Sequence, residues 1–131
     1  KGKSQKGKEI KIKMNINCNG KLIDLSTPKV MGILNVTPNS FYDGGKHKEI
    51  NSIIHQVDKM LSEGADFIDI GAYSSKPSAE FVSEEEEIKR LVHIIKEWVE
   101  TFPTIILSVD TFRANIAKAS VENGVAMVND I

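Results

Sequence analysis

Four short apolar stretches of the 131-residue sequence each end, at the predicted carboxyl tip of a strand, in an amide or carboxylate side chain. These polar residues are, in chain order, Asn35, Asp69, Asp110 and the pair Asn129 and Asp130. Amide and carboxylate oxygens bind hard cations such as Mg²⁺, and one carboxylate accepts hydrogen bonds from two neighbouring N–H groups. A single such residue is typical of a turn or a helix cap. Four in succession favour a binding site assembled from strand ends.

The apolar stretches alternate with segments of helical periodicity. Strands are predicted at residues 30–34, 67–71, 104–109 and 125–128. Helices are predicted where apolar residues recur three or four apart, at residues 50–61, 88–98 and 116–120. Apolar strands separated by helices form parallel sheets with right-handed crossovers. The carboxyl ends of such strands meet at one edge of the sheet, so the polar residues are predicted to lie together.

Two architectures fit this alternation, an open doubly wound sheet and part of a (β/α)8 barrel. No Gly-x-Gly-x-x-Gly segment follows a predicted strand, which argues against dinucleotide binding. Barrel enzymes carry their chemistry at the carboxyl ends of the strands. A complete barrel takes about 200–250 residues, so we expect an α/β fold that forms the N-terminal half of a TIM barrel.

A segment in which apolar and polar residues alternate precedes these strands. Residues 10–17 alternate apolar and polar side chains, the dipeptide Asn19-Gly20 favours a tight turn, and residues 21–25 form the returning strand. We predict a β-hairpin over residues 10–29 that covers part of the domain at residues 30–131. Residues 1–9 carry four lysines and are predicted to be a flexible basic end.

Composition excludes several classes of protein. Hydrophobic residues make up 40% and charged residues 27% of the chain, as in ordinary globular proteins. A net charge of -1 and short apolar runs give no reason to expect binding to nucleic acid or to a membrane. The single cysteine, Cys18, indicates a reducing compartment, so we expect a cytoplasmic protein.

Several segments together resemble the dihydropteroate synthases of folate biosynthesis. They occur in that family's order and spacing, at residues 31–45, 67–71, 74–77, 108–111 and 128–131. The resemblance implies the first half of a pterin-binding TIM barrel, with four strands and three helices, in a chain shorter than the family's. It implies an enzyme that joins 4-aminobenzoate to 6-hydroxymethyl-7,8-dihydropterin diphosphate and releases pyrophosphate. It also implies Mg²⁺, a homodimer in the complete enzyme, and sensitivity to sulfonamides.

The same resemblance assigns roles to residues. Asn35 is the implied metal ligand, and Asp110 and Lys76 are the implied catalytic residues. The implied substrate-binding residues are Phe41, Ser75, Pro77, Asp110, Asn129 and Ile131. The family usually has Ser-Thr-Arg-Pro-Gly where this chain has residues 74–78. Lys76 keeps the charge of the family's Arg and loses its bidentate fork, so contact with diphosphate is expected to be weaker.

Other polar or aromatic residues are expected to be structural. Asp69 is interpreted as an acid that either supports the ligand-contacting residues from behind or organises a loop, and Ser83 with Glu86 as a capping box. The three histidines are expected at the surface, and Trp98 between a helix and the sheet. Two alternatives remain open: a methyltetrahydrofolate-binding methyltransferase-type domain, and a non-enzymatic half-barrel that assembles with a partner. Residues 1–131 alone are expected to be inactive, because the family's later Asp, Lys and Arg-x-His are not among them.

Overall fold

A computed structural model describes residues 14–36, 47–71 and 83–130, which form two sheets and one layer of helices. The described elements are β1 (Asn15–Cys18), β2 (Lys21–Asp24), β3 (Met31–Asn35), α1 (His47–Ser62), β4 (Phe67–Gly71), α2 (Glu84–Thr101), β5 (Leu107–Asp110), α3 (Ala114–Glu122) and β6 (Met127–Asn129). Within these ranges no helix is both long enough and apolar enough to cross a bilayer.

The larger sheet is parallel, and its strand order, β3–β4–β5–β6, follows the sequence. Each helix therefore connects two neighbouring strands: α1 connects β3 to β4, α2 connects β4 to β5, and α3 connects β5 to β6. Three consecutive strand–helix units thus stand side by side, as they do in the first half of a (β/α)8 barrel. The expected α/β half-barrel fold is confirmed.

Alternate residues of the parallel strands point toward the helices and are buried. Leu34, Ile70 and Val109 share one register level and are at most 3% exposed. They pack in one cluster with apolar residues from every helix, including Val57 and Trp98. Full burial of a side chain of this size contributes about 1.5–3 kcal/mol, so this cluster fixes which face of each strand meets the helices.

Helix α2 begins where the sequence provides a cap. The Ser83 hydroxyl accepts a hydrogen bond from the Glu86 backbone N–H at 3.3 Å, and four glutamates occupy the first turn. Negative charge at a helix N-terminus is stabilised by the helix dipole. The capping-box prediction is correct in its first half. The Glu86 carboxylate does not complete the box and instead pairs with Arg90 one turn later, at 3.1 Å.

Strands β1 and β2 form the predicted hairpin. Asn19 and Gly20 have φ values of 56° and 84°, which the two central positions of a type I′ turn require. Lys21 Nζ donates to the Pro103 carbonyl at 3.0 Å, and Asn19 Nδ2 donates to the Gly124 carbonyl at 3.2 Å. The hairpin is thereby attached to the loops that lead into β5 and β6.

The hairpin covers one end of the sheet face that points away from the helices. Cys18 is buried against Phe67 and Ile106, at the amino ends of β4 and β5. Further along the same face, Ile33 of β3 is 64% exposed. The hairpin therefore lies at the end of the strands opposite to the polar residues, and it leaves that carboxyl end open.

Strand β4 has the predicted bounds, and the other three parallel strands are shifted from theirs toward the carboxyl end. The strand predicted at 104–109 begins at Leu107, because Pro103 and Thr104 form a turn. The strand predicted at 125–128 is Met127–Asn129, and the one predicted at 30–34 is Met31–Asn35. Asn35, Asp110 and Asn129 are therefore the last paired residues of their strands. The sheet itself therefore holds these three side chains in place.

The helix–sheet cluster gives a first testable expectation. Trp98→Ala should lower the free energy of unfolding by about 3–5 kcal/mol, because it leaves a large cavity under α2. Its neighbour Val99 is 38% exposed, so Val99→Ala is a control expected to cost less than about 1 kcal/mol. Urea denaturation of the complete natural protein measures both changes. If Trp98→Ala lowered the free energy of unfolding as little as Val99→Ala does, the result would contradict this packing.

Candidate functional site

One register row across four strands brings together three of the predicted site residues. Asn35 pairs with Gly71, Gly71 with Asp110, and Asp110 with Asn129. Neighbouring strands in a sheet lie about 4.8 Å apart, so this row is about 14 Å long. We call these four residues the strand-tip row.

The strand-tip row lies on the open face of the sheet. Side chains alternate between the two faces of a strand, and the preceding level, with Ile70 and Val109, faces the helices. Asp110 and Asn129 are half-buried, and Asn35 is exposed on the outer strand. Two adjacent polar side chains therefore offer acceptors and a donor to a ligand, while Asn35 extends toward solvent.

Backbone hydrogen bonds hold the row in place beyond the last paired residues. The Val36 N–H donates to the Gly71 carbonyl at 2.9 Å, and the Thr111 N–H donates to the Asn129 carbonyl at 3.1 Å. The residues just after the tips of β3 and β5 are therefore tied to their neighbouring strands. The positions of the site side chains are consequently set by the sheet rather than by the loops.

Gly71 contributes space to the row. A Cβ atom built at Gly71 would lie 2.9 Å from Asn35 Oδ1, closer than real Cβ contacts. The absence of a side chain thus lets the Asn35 amide oxygen lean over the tip of β4. Since carbonyl-type oxygens are the ligands that hard cations prefer, this geometry is suited to presenting one oxygen ligand.

The loop after Asp110 is pinned to the neighbouring helix. Thr111 Oγ1 accepts a hydrogen bond from the Arg113 N–H at 3.1 Å, and Arg113 Nη1 donates to Glu87 Oε2 at 2.9 Å. The Phe112 ring lies over the Arg113 guanidinium, 5.6 Å from its central carbon. These contacts join the start of α3 to the first turn of α2, on either side of the site residue Asp110.

Glu87 is the group in this network whose titration is altered. Burial raises the pKa of its carboxyl above the ordinary value, the Arg113 charge lowers it in part, and the Glu84 charge raises it further. Among these causes burial is the largest. The pair with Arg113 therefore offsets part of the cost of keeping an ionised carboxylate partly out of water.

Asp69 does not lie at a strand end, and this corrects the sequence-based expectation. It is the third of the five residues of β4 and is 2% exposed, while Gly71 occupies the tip. Its neighbour in register is Ser108 of β5, which is 1% exposed. Neither Asp69 Oδ1 nor Ser108 Oγ has a hydrogen-bond partner among the described residues. A loop-organising role does not account for this position.

The remaining predicted site residues cannot be compared with the structure. They lie outside the described residues, and they are Phe41, Ser75, Lys76, Pro77 and Ile131. The described ranges also hold no group of three His, Cys, Asp or Glu side chains that could bind a metal ion.

Three contributors to the site were not identified from the sequence. Gly71 has no Cβ atom and so leaves room for the Asn35 amide. Ser108 lies beside Asp69 in register, and Arg113 bonds to Glu87 of α2. The sequence carried a signal for one of them: a Thr two residues before Arg113 is typical of a hydroxyl-capped turn. The other two depend on register, which local sequence does not reveal.

Comparison with known proteins identifies the family. The model of the pterin-binding enzyme family matches residues 31–131. A dihydropteroate synthase from Clostridium beijerinckii is 49% identical over 102 residues, covering 78% of this chain and 38% of that protein. The chain therefore belongs to the pterin-binding enzyme family.

Solved structures give the same result for the fold. The 7,8-dihydropteroate synthase of Vibrio fischeri superposes with a TM-score of 0.76 at 39% identity, covering 90% of this chain and 42% of that one. The Xanthomonas albilineans enzyme, solved with 4-aminobenzoic acid, gives a TM-score of 0.72 at 40% identity, covering 89% and 43%. The chain spans about two fifths of the length of these proteins.

The contact between Gly71 and Asn35 can be tested in solution. Gly71→Ala should change stability by less than about 1.5 kcal/mol, because only the end of a flexible side chain has to move. The Asn35 side-chain amide should nevertheless shift in the ¹H–¹⁵N NMR spectrum of the complete natural protein. Asn35→Ala identifies that resonance, and the Asn129 amide serves as an internal control. An unmoved Asn35 resonance would contradict the close approach.

Proposed function

We propose that this chain supplies the metal ligand and part of the pterin pocket of a dihydropteroate synthase. The enzyme would condense 4-aminobenzoate with 6-hydroxymethyl-7,8-dihydropterin diphosphate to give dihydropteroate and pyrophosphate. One observation carries the proposal: Asp110, Asn129 and Asn35 occupy a single row at the carboxyl ends of parallel strands. Because the chain spans about two fifths of its relatives, this activity is proposed for the complete natural protein.

Asp110 and Asn129 suit the edge of a pterin ring. The amino-pyrimidinone edge carries neighbouring N–H donors beside acceptor nitrogens. A carboxylate accepts from two donors at once, and a carboxamide both donates and accepts. Asp110 and Asn129 are adjacent in register and half-buried, so bonds to them form away from bulk water and are stronger there.

Asn35 suits a magnesium ion shared with the substrate. Mg²⁺ usually keeps several waters and is bound by one or two carboxylates together with substrate phosphates. Carbonyl-type oxygens such as that of a side-chain amide suit it as well. Asn35 offers one such oxygen at the exposed end of the row, where Gly71 leaves room for it. When bound, the ion would neutralise charge on the departing diphosphate.

The chain's own residues would act by orientation and by charge. In the condensation, the C–O bond between the pterin methylene and diphosphate breaks, and the arylamine nitrogen forms the new C–N bond and loses a proton. Asp110 would hold the ring and stabilise positive charge that develops on it as diphosphate departs. The pinned loop after Asp110 would keep the carboxylate in position through the reaction.

The segment between β3 and α1 and the segment between β4 and α2 would complete the diphosphate and aminobenzoate sites. Lys76, Ser75 and Pro77 are proposed to contact diphosphate and substrate, and Phe41 to pack on the aminobenzoate ring. Ile131 is proposed to line the pterin site next to Asn129. We further propose a cytoplasmic homodimer that sulfonamides inhibit.

An assay of the complete natural protein tests this proposal. Pyrophosphate release that depends on 4-aminobenzoate, with dihydropteroate as the second product, is expected. Asp110→Asn should weaken pterin binding, measured calorimetrically, by roughly ten- to a hundredfold, because hydrogen bonds to a charged acceptor are lost. Asp130→Asn is the control: it removes an exposed carboxylate next to the row and should leave affinity unchanged.

The alternatives predict different outcomes. Pterin binding without pyrophosphate release would favour the methyltransferase-type domain. Oligomers with neither binding nor turnover would favour a non-enzymatic half-barrel. Equal pterin affinities for Asp110→Asn and Asp130→Asn would contradict the pterin-binding role of Asp110.

A further inference from the structure

An ion pair joins two neighbouring strand–helix units at the carboxyl ends of their strands. Arg113 is the N-cap residue of α3, and its Nη1 lies 2.9 Å from Glu87 Oε2 in the first turn of α2. Each of these helices follows a parallel strand and runs back along the sheet, so its first turn lies at the end that carries the strand-tip row. The pair therefore connects α2 to the loop that follows Asp110.

Two hydrogen bonds lead from this ion pair to the strand-tip row. The Arg113 N–H donates to Thr111 Oγ1 at 3.1 Å, and the Thr111 N–H donates to the Asn129 carbonyl at 3.1 Å. The turn after Asp110 is thus held at one end by β6 and at the other by α2. The sheet fixes the Asp110 main chain, and the turn fixes the ψ angle that follows it. Because backbone angles limit the rotamers of a residue, the turn limits where the Asp110 carboxylate points.

Arg113 does not cap its own helix. Preferred N-cap residues have a short side chain that accepts a hydrogen bond from the first turn, as the Ser83 hydroxyl does from the Glu86 N–H in α2. A guanidinium has no acceptor, and among the described residues Arg113 makes no side-chain bond of this kind. A cation is also unfavourable at the positive end of the helix dipole. The side chain at this position is therefore suited to the contact with α2, not to the stability of α3.

Glu87 is likewise not optimised for stability. Its side chain is 14% exposed, and burial is the largest cause that raises the pKa of its carboxyl, even with Arg113 beside it. A carboxyl whose pKa rises on folding holds its proton more tightly in the folded state. Ionised Glu87 therefore lowers the free energy of unfolding at neutral pH. Residues that break the local rules of stability on both sides of one contact are typical of functional sites.

We propose that Arg113 and Glu87 are positioning residues for the proposed condensation. They act through Asp110, by holding the turn after it in the conformation in which the carboxylate faces the pterin ring. Without either partner the turn samples other conformations, and the apparent affinity falls with the fraction of molecules that keep the competent one. This assignment rests on the proposed function and extends it, because it makes pterin binding depend on α2, a helix in which no site residue is predicted.

Calorimetry with 6-hydroxymethylpterin and the complete natural protein tests the proposal. Glu87→Met and Arg113→Met each remove one partner and should weaken binding about three- to tenfold, as when about a third to a tenth of the molecules keep the competent turn. The double variant should bind as either single variant does, because the two residues act as one unit. Glu86→Met is the matched control: Glu86 pairs with Arg90 inside α2 at 3.1 Å, and the affinity should not change.

Stability and kinetics separate a positioning role from a structural one. Glu87→Met should keep or raise the urea midpoint, because it removes a carboxylate that is costly when ionised, and Arg113→Met should lower it, because it leaves that carboxylate unpaired. Equal losses of pterin affinity are thus expected beside opposite changes in stability. The KM for 4-aminobenzoate, measured at saturating pterin diphosphate, should stay the same in both variants.

Three results would overturn the proposal. Altered midpoints with unaltered pterin affinity would show that the pair serves stability alone. Losses of affinity that multiply in the double variant would show that Arg113 and Glu87 act separately. A KM for 4-aminobenzoate that rises as much as the pterin dissociation constant would show a general loosening of the site.

The outcomes also distinguish this inference from the proposed function. If the unmutated protein binds pterin and releases pyrophosphate while all variants bind equally well, the positioning role is wrong and the proposed function stands. If the unmutated protein binds no pterin, both are wrong.

Discussion

The register of the four parallel strands is the constraint on which the rest of the structure depends. It aligns Asn35, Gly71, Asp110 and Asn129 in one row, although up to 94 positions separate them in sequence. A slip of one residue in any strand would turn its polar tip toward the helices and its apolar residues toward the open face. Burial of the helix-side cluster therefore fixes the register, and with it the site.

The two faces of the sheet differ in composition. The helix-side face is apolar and closely packed, and the open face carries the strand-tip row above the buried pair Asp69 and Ser108. The hairpin covers the opposite end of that open face. The sheet itself thus holds the strand-tip row, and the bond between Arg113 and Glu87 holds the loop nearest to Asp110.

The alternation of strands and helices, the hairpin turn and three members of the strand-tip row could be predicted from the sequence, because each depends on local periodicity or on one residue type. Asp69 could not be placed correctly, since a carboxylate in an apolar stretch resembles a strand end when pairing is unknown. Gly71 and Ser108 act through neighbours on other strands, so their roles follow from register alone. The loop residues Phe41 and Lys76 stay predictions from the family resemblance.

The central claim, that one ring contacts adjacent members of the strand-tip row, is tested most directly by a double-mutant cycle of pterin affinity. Asp110→Asn, Asn129→Ala and the double variant should show a coupling of at least about 0.5 kcal/mol, since residues that bind one rigid ring do not act independently. The change in binding free energy caused by Asn35→Ala, at the far end of the row, should add to that of Asp110→Asn or Asn129→Ala without coupling. Additive effects of Asp110 and Asn129, or no loss of affinity on changing either, would contradict the account.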